Sequence, residues 1–180
     1  MARANQKLCP GYCLIPGSNL DRALLVRTMQ RTYQELHPGQ GLAHLAHTVD
    51  QYLSHDSSLW WVDVDAPLPQ SSAIEHRGRA KQPIACLWLG NAVDQIDGDR
   101  HTYIFLLYVE PNHRRRGIGT ALMNHAAQLA QAKGDRKISL QVFHQNTPAL
   151  EMYQGLGYVV QSVWMTKQLW SDRTDERQLT

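Results

Sequence analysis

The sequence predicts one domain of the α/β (α+β) class, with strands and helices sharing a single core. Three observations predict it. The chain has 180 residues. At roughly 100–200 residues per domain, that is one domain, long enough to bury a core without disulfide or metal staples. Short apolar runs of strand length alternate with apolar residues at helical spacing. Pro and Gly mark the boundaries between them.

Each element follows in order. Residues 12–15 form an apolar run closed by Pro16-Gly17, a first strand. Ser18 and Asp21 fit a capping box, after which Leu20, Leu24, Leu25, Met29, Tyr33 and Leu36 recur at helical spacing. Pro38, Gly39 and Gly41 end that helix. A shorter helix is expected over 42–53 and a strand over 59–64. Residues 65–82 are rich in Pro, Ser, Gln and charge, and read as a long surface loop. Strands follow at 83–89 and 101–109, with a polar turn over 90–100. Residues 117–133 carry Ile118, Leu122, His125 or Ala126, and Leu129 on one helical face. Lys133-Gly134 ends that helix with a cation followed by glycine. A strand is expected at 138–143. A short helix over 148–156 follows, with Thr147 as N-cap, Pro148 at its first position and Gly157 past its end. Residues 158–169 predict one or two final strands. The domain is thus 1–170, with a polar tail at 171–180.

Composition excludes several classes. Eighteen Lys and Arg against sixteen Asp and Glu leave +2, too balanced for a broad nucleic-acid surface. The longest apolar run, 103–109, is far short of the ~20 residues that span a bilayer. No apolar stretch follows the N-terminus in the manner of a secretory signal, so a cytoplasmic location is expected. Cys9, Cys13 and Cys86 are odd in number and do not read as a disulfide framework. Cys9 and Cys13 lack a nearby second pair to complete a zinc site. His37, His44 and His47 lack a carboxylate or Cys cluster, so no metal is expected.

The informative stretch runs from Val109 to Thr120. An apolar strand ends, a turn with Pro111 follows, and a loop with Gly117 and Gly119 opens an amphipathic helix. The free N–H groups of a helix start form an anion site, and glycines let a phosphate approach the backbone. Arg114, Arg115 and Arg116 add charge at the rim. The layout suits a pyrophosphate, and without a Lys-Ser/Thr pair it is not a Walker A loop.

The pattern Arg114-x-x-Gly117-x-Gly119 after an apolar strand resembles the acetyl-coenzyme A signature of the GNAT superfamily of N-acetyltransferases. A second block, Asn146-x-x-Ala149-x-x-x-Tyr153 followed by Leu156-Gly157-Tyr158, is similar to the pattern that closes the family's domain. Together the two blocks and the element order cover residues 11–169. The resemblance implies a mixed central sheet with flanking helices, splayed between its fourth and fifth strands, here 101–109 and 138–143. It implies acetyl-coenzyme A in that V, its pantetheine arm paired with backbone of Leu107, Tyr108 and Val109. The N–H near Val109 would face the thioester oxygen, where a preset donor stabilises developing charge. The pyrophosphate would sit on N–H groups of Arg115, Arg116, Gly117, Ile118, Gly119 and Thr120.

The resemblance also assigns roles. Tyr153 is the candidate general acid for the leaving sulfur. Asn146 either orients the cofactor or holds the turn before Pro148. The histone-acetylating branch carries a Glu near the start of its fourth strand, where this chain has His101-Thr102-Tyr103. A base is therefore not evident, and His101, Glu110 and a water chain stand as candidates. The first two helices would wall the acceptor site, which makes Tyr33, Glu35 and His37 candidates to touch substrate. Trp60, Trp61 and Trp88 are read as sheet packing. The function implied is acetyl-coenzyme A-dependent acetyl transfer to a primary amine of a small molecule, peptide or protein, by a monomer or homodimer. The alternative is a non-catalytic acyl-coenzyme A-binding regulatory module. A nucleic-acid contact through the three arginines ranks last.

Overall fold

Pro10-Gly11 is a turn signal ahead of the first expected strand, and it closes a hairpin there. In the computed structural model, which describes residues 6–65 and 82–169, β1 (Gln6–Cys9) pairs antiparallel with β2 (Tyr12–Pro16) across that turn. Gly11 has φ +79°, the left-handed value a following Gly supplies after Pro. With only Leu8 and Cys9 apolar, β1 carries too little pattern to be read as a strand on its own.

Ser18 and Asp21 make the expected capping box on a short 3₁₀ turn, with Asp21 Oδ2 accepting from the Ser18 N–H at 2.7 Å. It leads into α1 (Arg22–Leu36), and α2 (His44–Tyr52) follows. β3 (Ser58–Val64), β4 (Ala85–Val93) and β5 (Arg100–Val109) continue the sheet. α3 (Ile118–Lys133), β6 (Ile138–Leu140) and α4 (Thr147–Gly155) complete it. The six strands lie in chain order; β1 to β5 are antiparallel neighbours and β6 joins β5 in parallel. Both α3 and α4 end in a left-handed glycine, Gly134 and Gly157. In each, the two N–H groups that follow the helix fold back on its last carbonyls.

Two cores sandwich the sheet. Leu14, Val62, Leu87, Leu89 and Ile104 meet Ile118, Leu122, Met123 and Ala126 of α3 on one face. Trp61, Trp88, Leu106 and Tyr108 meet Leu25, Met29, Leu45 and Val49 of α1 and α2 on the other. The tryptophans pack the sheet as expected. Among the described residues no helix is long and apolar enough to cross a membrane, and no cluster of three metal-ligating side chains occurs. The three cysteines are free.

Three expectations need correction. β4 continues through Gly90 to Val93, so the polar turn is confined to 94–99. Gly90 and Asn91 look like breakers in sequence, but Gly90 sits where an added Cβ would run into the Phe105 ring. β6 stops at Leu140 instead of 143, because residues 141–143 leave the ladder. Residues 159–169 form no strand, and Val159, Val163, Trp164 and Met165 lie exposed. Their apolar pattern satisfies strand propensity, but a strand also needs a ladder partner. The expected loop at 65–82 falls almost wholly, and the 171–180 tail wholly, outside the described residues.

Candidate active site

The site begins with an irregularity in β5. Trp88 faces Leu106 and Leu89 faces Ile104, so Phe105 has no partner on β4. Such a bulge shifts the in–out phase of a strand and re-aims its side chains. Ile104 faces α3, Phe105 and Leu106 both face α1 and α2, and Leu107 and Val109 face α3 again. β6 pairs only with Thr102, Tyr103 and Ile104. Beyond that point the far edge of β5 opens into the V. The Glu110 N–H donates to the Ile84 carbonyl at 2.8 Å on the β4 side. Alternation along a strand then turns the amides of Val109 and Leu107 to the open edge and that of Tyr108 toward β4.

The open edge runs into the arginine–glycine loop. Arg115 has φ +60°, a left-handed value uncommon outside glycine, and Gly117 has φ +79°. Successive N–H groups in such a turn form an anion-binding concavity. A Cβ built on Gly117 would meet nothing within 4 Å, so this glycine serves backbone conformation. Gly119 serves packing instead, since its Cβ would lie 3.0 Å from the Met152 sulfur of α4. No side chain caps α3, which leaves its first-turn N–H groups facing the loop. Ile118 is buried and Thr120 exposed.

The three arginines have different surroundings. Arg114 Nε donates to the Val109 carbonyl at 2.8 Å, and its Nη2 pairs with Glu35 at 2.5 Å. It ties the end of α1 to the end of β5. Arg116 donates to the Tyr12 hydroxyl at 3.1 Å, and that hydroxyl lies 3.1 Å from His113 Nδ1. Since guanidinium only donates, the Tyr12 proton is available to His113. Arg115 is exposed at the loop's tip.

On the α1 and α2 side a cleft of about 400 Å³ opens above Phe105. Tyr33, Tyr52, Tyr103 and Phe143 surround it, with the amides of Asn91 and Gln141. The Phe105 ring stacks on Trp88 at 4.7 Å and meets Tyr52 and Tyr103 at 5.0 Å each. Burial raises the phenols of Tyr33 and Tyr103 above their usual value, so both stay neutral.

The sequence profile of the acetyltransferase (GNAT) family matches residues 28–158. The chain belongs to the GNAT acetyltransferase family. It is 37% identical over 73 residues to an uncharacterized N-acetyltransferase of Methanocaldococcus jannaschii, covering 41% of this chain and 30% of that protein. The chain spans less than half the length of the curated relatives it matches. A predicted acetyltransferase of Clostridium acetobutylicum, solved with acetyl-CoA, superposes with TM-score 0.64 at 19% identity, over 88% of this chain and 96% of that one. An aminoglycoside acetyltransferase from an uncultured soil metagenomic sample, solved with sisomicin, gives 0.65 at 13% identity, over 91% and 100%. At these identities the structural likeness is one of fold: a GNAT sheet that splays where β5 leaves β6.

Within this GNAT fold, Tyr153 of α4 packs on the same core as Leu107 and Val109. Its phenol is pushed up to about 12, chiefly by burial and then by Tyr158, whose ring lies 5.8 Å away. Asn146 supplies its carbonyl to the N–H groups of Ala149 and Leu150 at the start of α4, and its side chain makes no cap bond. His101 is buried, not a polar surface residue, and its Nε2 lies 2.7 Å from the Ser139 hydroxyl. It stands about 20 Å along the strand from Leu107, at the sealed end of the V, too far to act as base there. Glu110 accepts from the Tyr108 hydroxyl at 2.9 Å and pairs with Arg31 at 3.3 Å. Burial and Glu110 together hold the Tyr108 phenol well above the usual range. Of the three acceptor-side candidates only Tyr33 lines the cleft; Glu35 is held by Arg114, and His37 packs edge-on against Phe143 at 4.7 Å. Phe105, Tyr103, Tyr52, Asn91 and Phe143 were not legible as site residues. The apolar run 103–109 conceals the bulge, because both faces of that strand are buried.

Proposed function

We propose that this GNAT chain transfers an acetyl group from acetyl-coenzyme A to a primary amine of a small molecule, peptide or protein. The observation that carries the reading is the open edge of β5 running directly into the left-handed loop from Arg115 to Gly117 at the start of α3. That surface fits the cofactor: an unpaired strand edge, a concave run of N–H groups, and open space over Gly117. The backbone from Arg115 to Thr120 would hold the pyrophosphate, and the amides of Leu107 and Val109 would pair with the pantetheine arm. When bound, acetyl-coenzyme A supplies an acetyl thioester already activated toward amines.

The chain's own groups supply the rest. One of the two open-edge N–H groups, of which Leu107 is the nearer in the chain to the cleft residues, would donate to the thioester oxygen as negative charge develops on it, and the other would hold the arm. Tyr153 keeps its proton at neutral pH and is the candidate donor to the departing sulfur. Because burial makes its phenol a weaker acid than a thiol, it would act by a placed hydrogen bond that shifts toward proton transfer as the thiolate forms. Among the described residues lining the cleft there is no His, Asp or Glu, and Glu110 is engaged by Tyr108 and Arg31, which together favour loss of the amine's proton to water. Overall, amine and thioester become amide and thiol.

Titrating acetyl-coenzyme A by calorimetry and following thiol release over an amine panel tests the reading. Cofactor binding with amine-dependent thiol release supports it. Absence of cofactor binding overturns it, and binding without release for every amine leaves the non-catalytic module. Because water is the base, kcat/KM should rise with pH about tenfold per unit below the pKa of the amine, near 10 for an alkyl amine.

A further inference from the structure

The cleft beside Phe105 restricts which amines can use the site. We infer that the acceptor is a compact monoamine on an apolar or aromatic body, not a polyamine, an aminoglycoside-like polycation or a free amino acid. This rests on the acetyl-transfer reading.

The lining carries the argument. Tyr33, Tyr52, Tyr103, Phe105 and Phe143 present five rings, and among the described lining residues none is Asp, Glu, Lys or Arg. The buried phenols of Tyr33 and Tyr103 stay neutral. A single ammonium approaching these ring faces is attracted by their quadrupoles. It then gives up its proton before attack, so it needs no permanent counter-ion. A second ammonium has no such exit. It would lose hydration with no carboxylate to meet it, as would the carboxylate of a free amino acid with no cation. Asn91 and Gln141 can orient one uncharged polar group and cannot balance a charge. The volume of about 400 Å³ is near the small end of the roughly 300–1,000 Å³ usual for ligand clefts.

Tyr103 and Phe105 reach this face by ordinary strand alternation, and the bulge adds Leu106 to the same face beside them. Phe105 there lies on Trp88 and against Tyr52 and Tyr103. Gly90 leaves the room its ring occupies.

The test measures amine binding to the cofactor-free protein by NMR, with phenethylamine, tryptamine, spermidine, kanamycin and free phenylalanine as probes, then thiol release with each. Phenethylamine or tryptamine should bind and turn over with kcat/KM about tenfold or more above the polycationic and zwitterionic probes. Tyr52→Ser should weaken phenethylamine binding about fivefold and leave acetyl-coenzyme A affinity unchanged. Tyr52 is exposed at the end of α2, so its loss does not unfold the core. Equal or better binding of spermidine or kanamycin, or no binding of either arylalkylamine, overturns the inference whatever the cofactor does. Failure of acetyl-coenzyme A alone to bind, with the arylalkylamines still bound at Tyr52, overturns the acetyl-transfer reading and leaves the amine site standing.

Discussion

From Thr102 to Ile104, β5 is paired on both sides; from Leu106 to Val109 it is paired on one. The first half is sealed with polar ties. His101 meets Ser139, and Thr102 gives both its N–H and its hydroxyl to Asp135. Lys137, just before β6, bridges Asp94 and Asp97 at 2.5 and 2.9 Å. The second half has rings on one face, an unpaired edge, and an arginine loop at its end. One strand thus holds a closed seam and an open site, and the bulge at Phe105 marks the change. The difference teaches that sheet continuity is maintained at one end of β5 so that it can be given up at the other.

Substitutions on the two halves should therefore separate activity from stability. The largest effect is expected on the open side. Tyr153→Phe should lower kcat about 100-fold in steady-state thiol release while calorimetric acetyl-coenzyme A affinity stays within about twofold. An unchanged kcat would remove Tyr153 as the acid. Next, Gly117→Val places a β-branched residue at φ +79°, a strain of about 1–2 kcal/mol, and distorts the loop that leads into α3. Acetyl-coenzyme A should bind about tenfold more weakly, with Tm falling only a few degrees. Gly90→Ala sits on the boundary between the two halves. Its methyl group displaces the Phe105 ring, so overpacking should cost about 1–3 kcal/mol and lower Tm by roughly 5 °C. It should also raise the acceptor KM without moving cofactor affinity.

The smallest effect is expected at the seam. Lys137 is the main cause that holds the Asp94 carboxyl down at about 2. A depressed folded pKa gives stability that is present above the unfolded value near 3.9 and lost as pH falls toward 2. Lys137→Met should therefore lower Tm by about 2 °C or less at pH 7, and the deficit should close between pH 4 and pH 2. Its kcat should equal that of the parent. A large kinetic effect there would break the comparison.

The parts of the site visible in sequence are those where local backbone chemistry demands a residue type. Gly117 must accept a left-handed turn, Gly134 and Gly157 must end helices, and Ser18 must cap. These demands act over a few residues, so they leave a mark in the chain. Arg114 shows the limit of such marks. Its place in a basic run suggested the rim of a phosphate site, whereas its guanidinium is held by Glu35 and the Val109 carbonyl, partners 79 and five positions away. The cleft is invisible for the same reason, because Tyr33, Tyr52, Asn91, Phe105 and Phe143 come from five separate segments.

The sequence by itself determined the order of elements from β2 to α4, the helix ends, the arginine–glycine loop and the family to which those blocks point. Each depends on short-range preferences of φ, hydrogen bonding and apolar spacing. The tertiary structure alone decided where β5 bulges, where β6 lets go, which arginines are engaged and what lines the acceptor cleft. Those features depend on which side chains from distant segments compete for the same space, as the Phe105 ring does over Gly90. Strand pairing and packing at long range resolve that competition, and neither leaves a period or a motif in the chain.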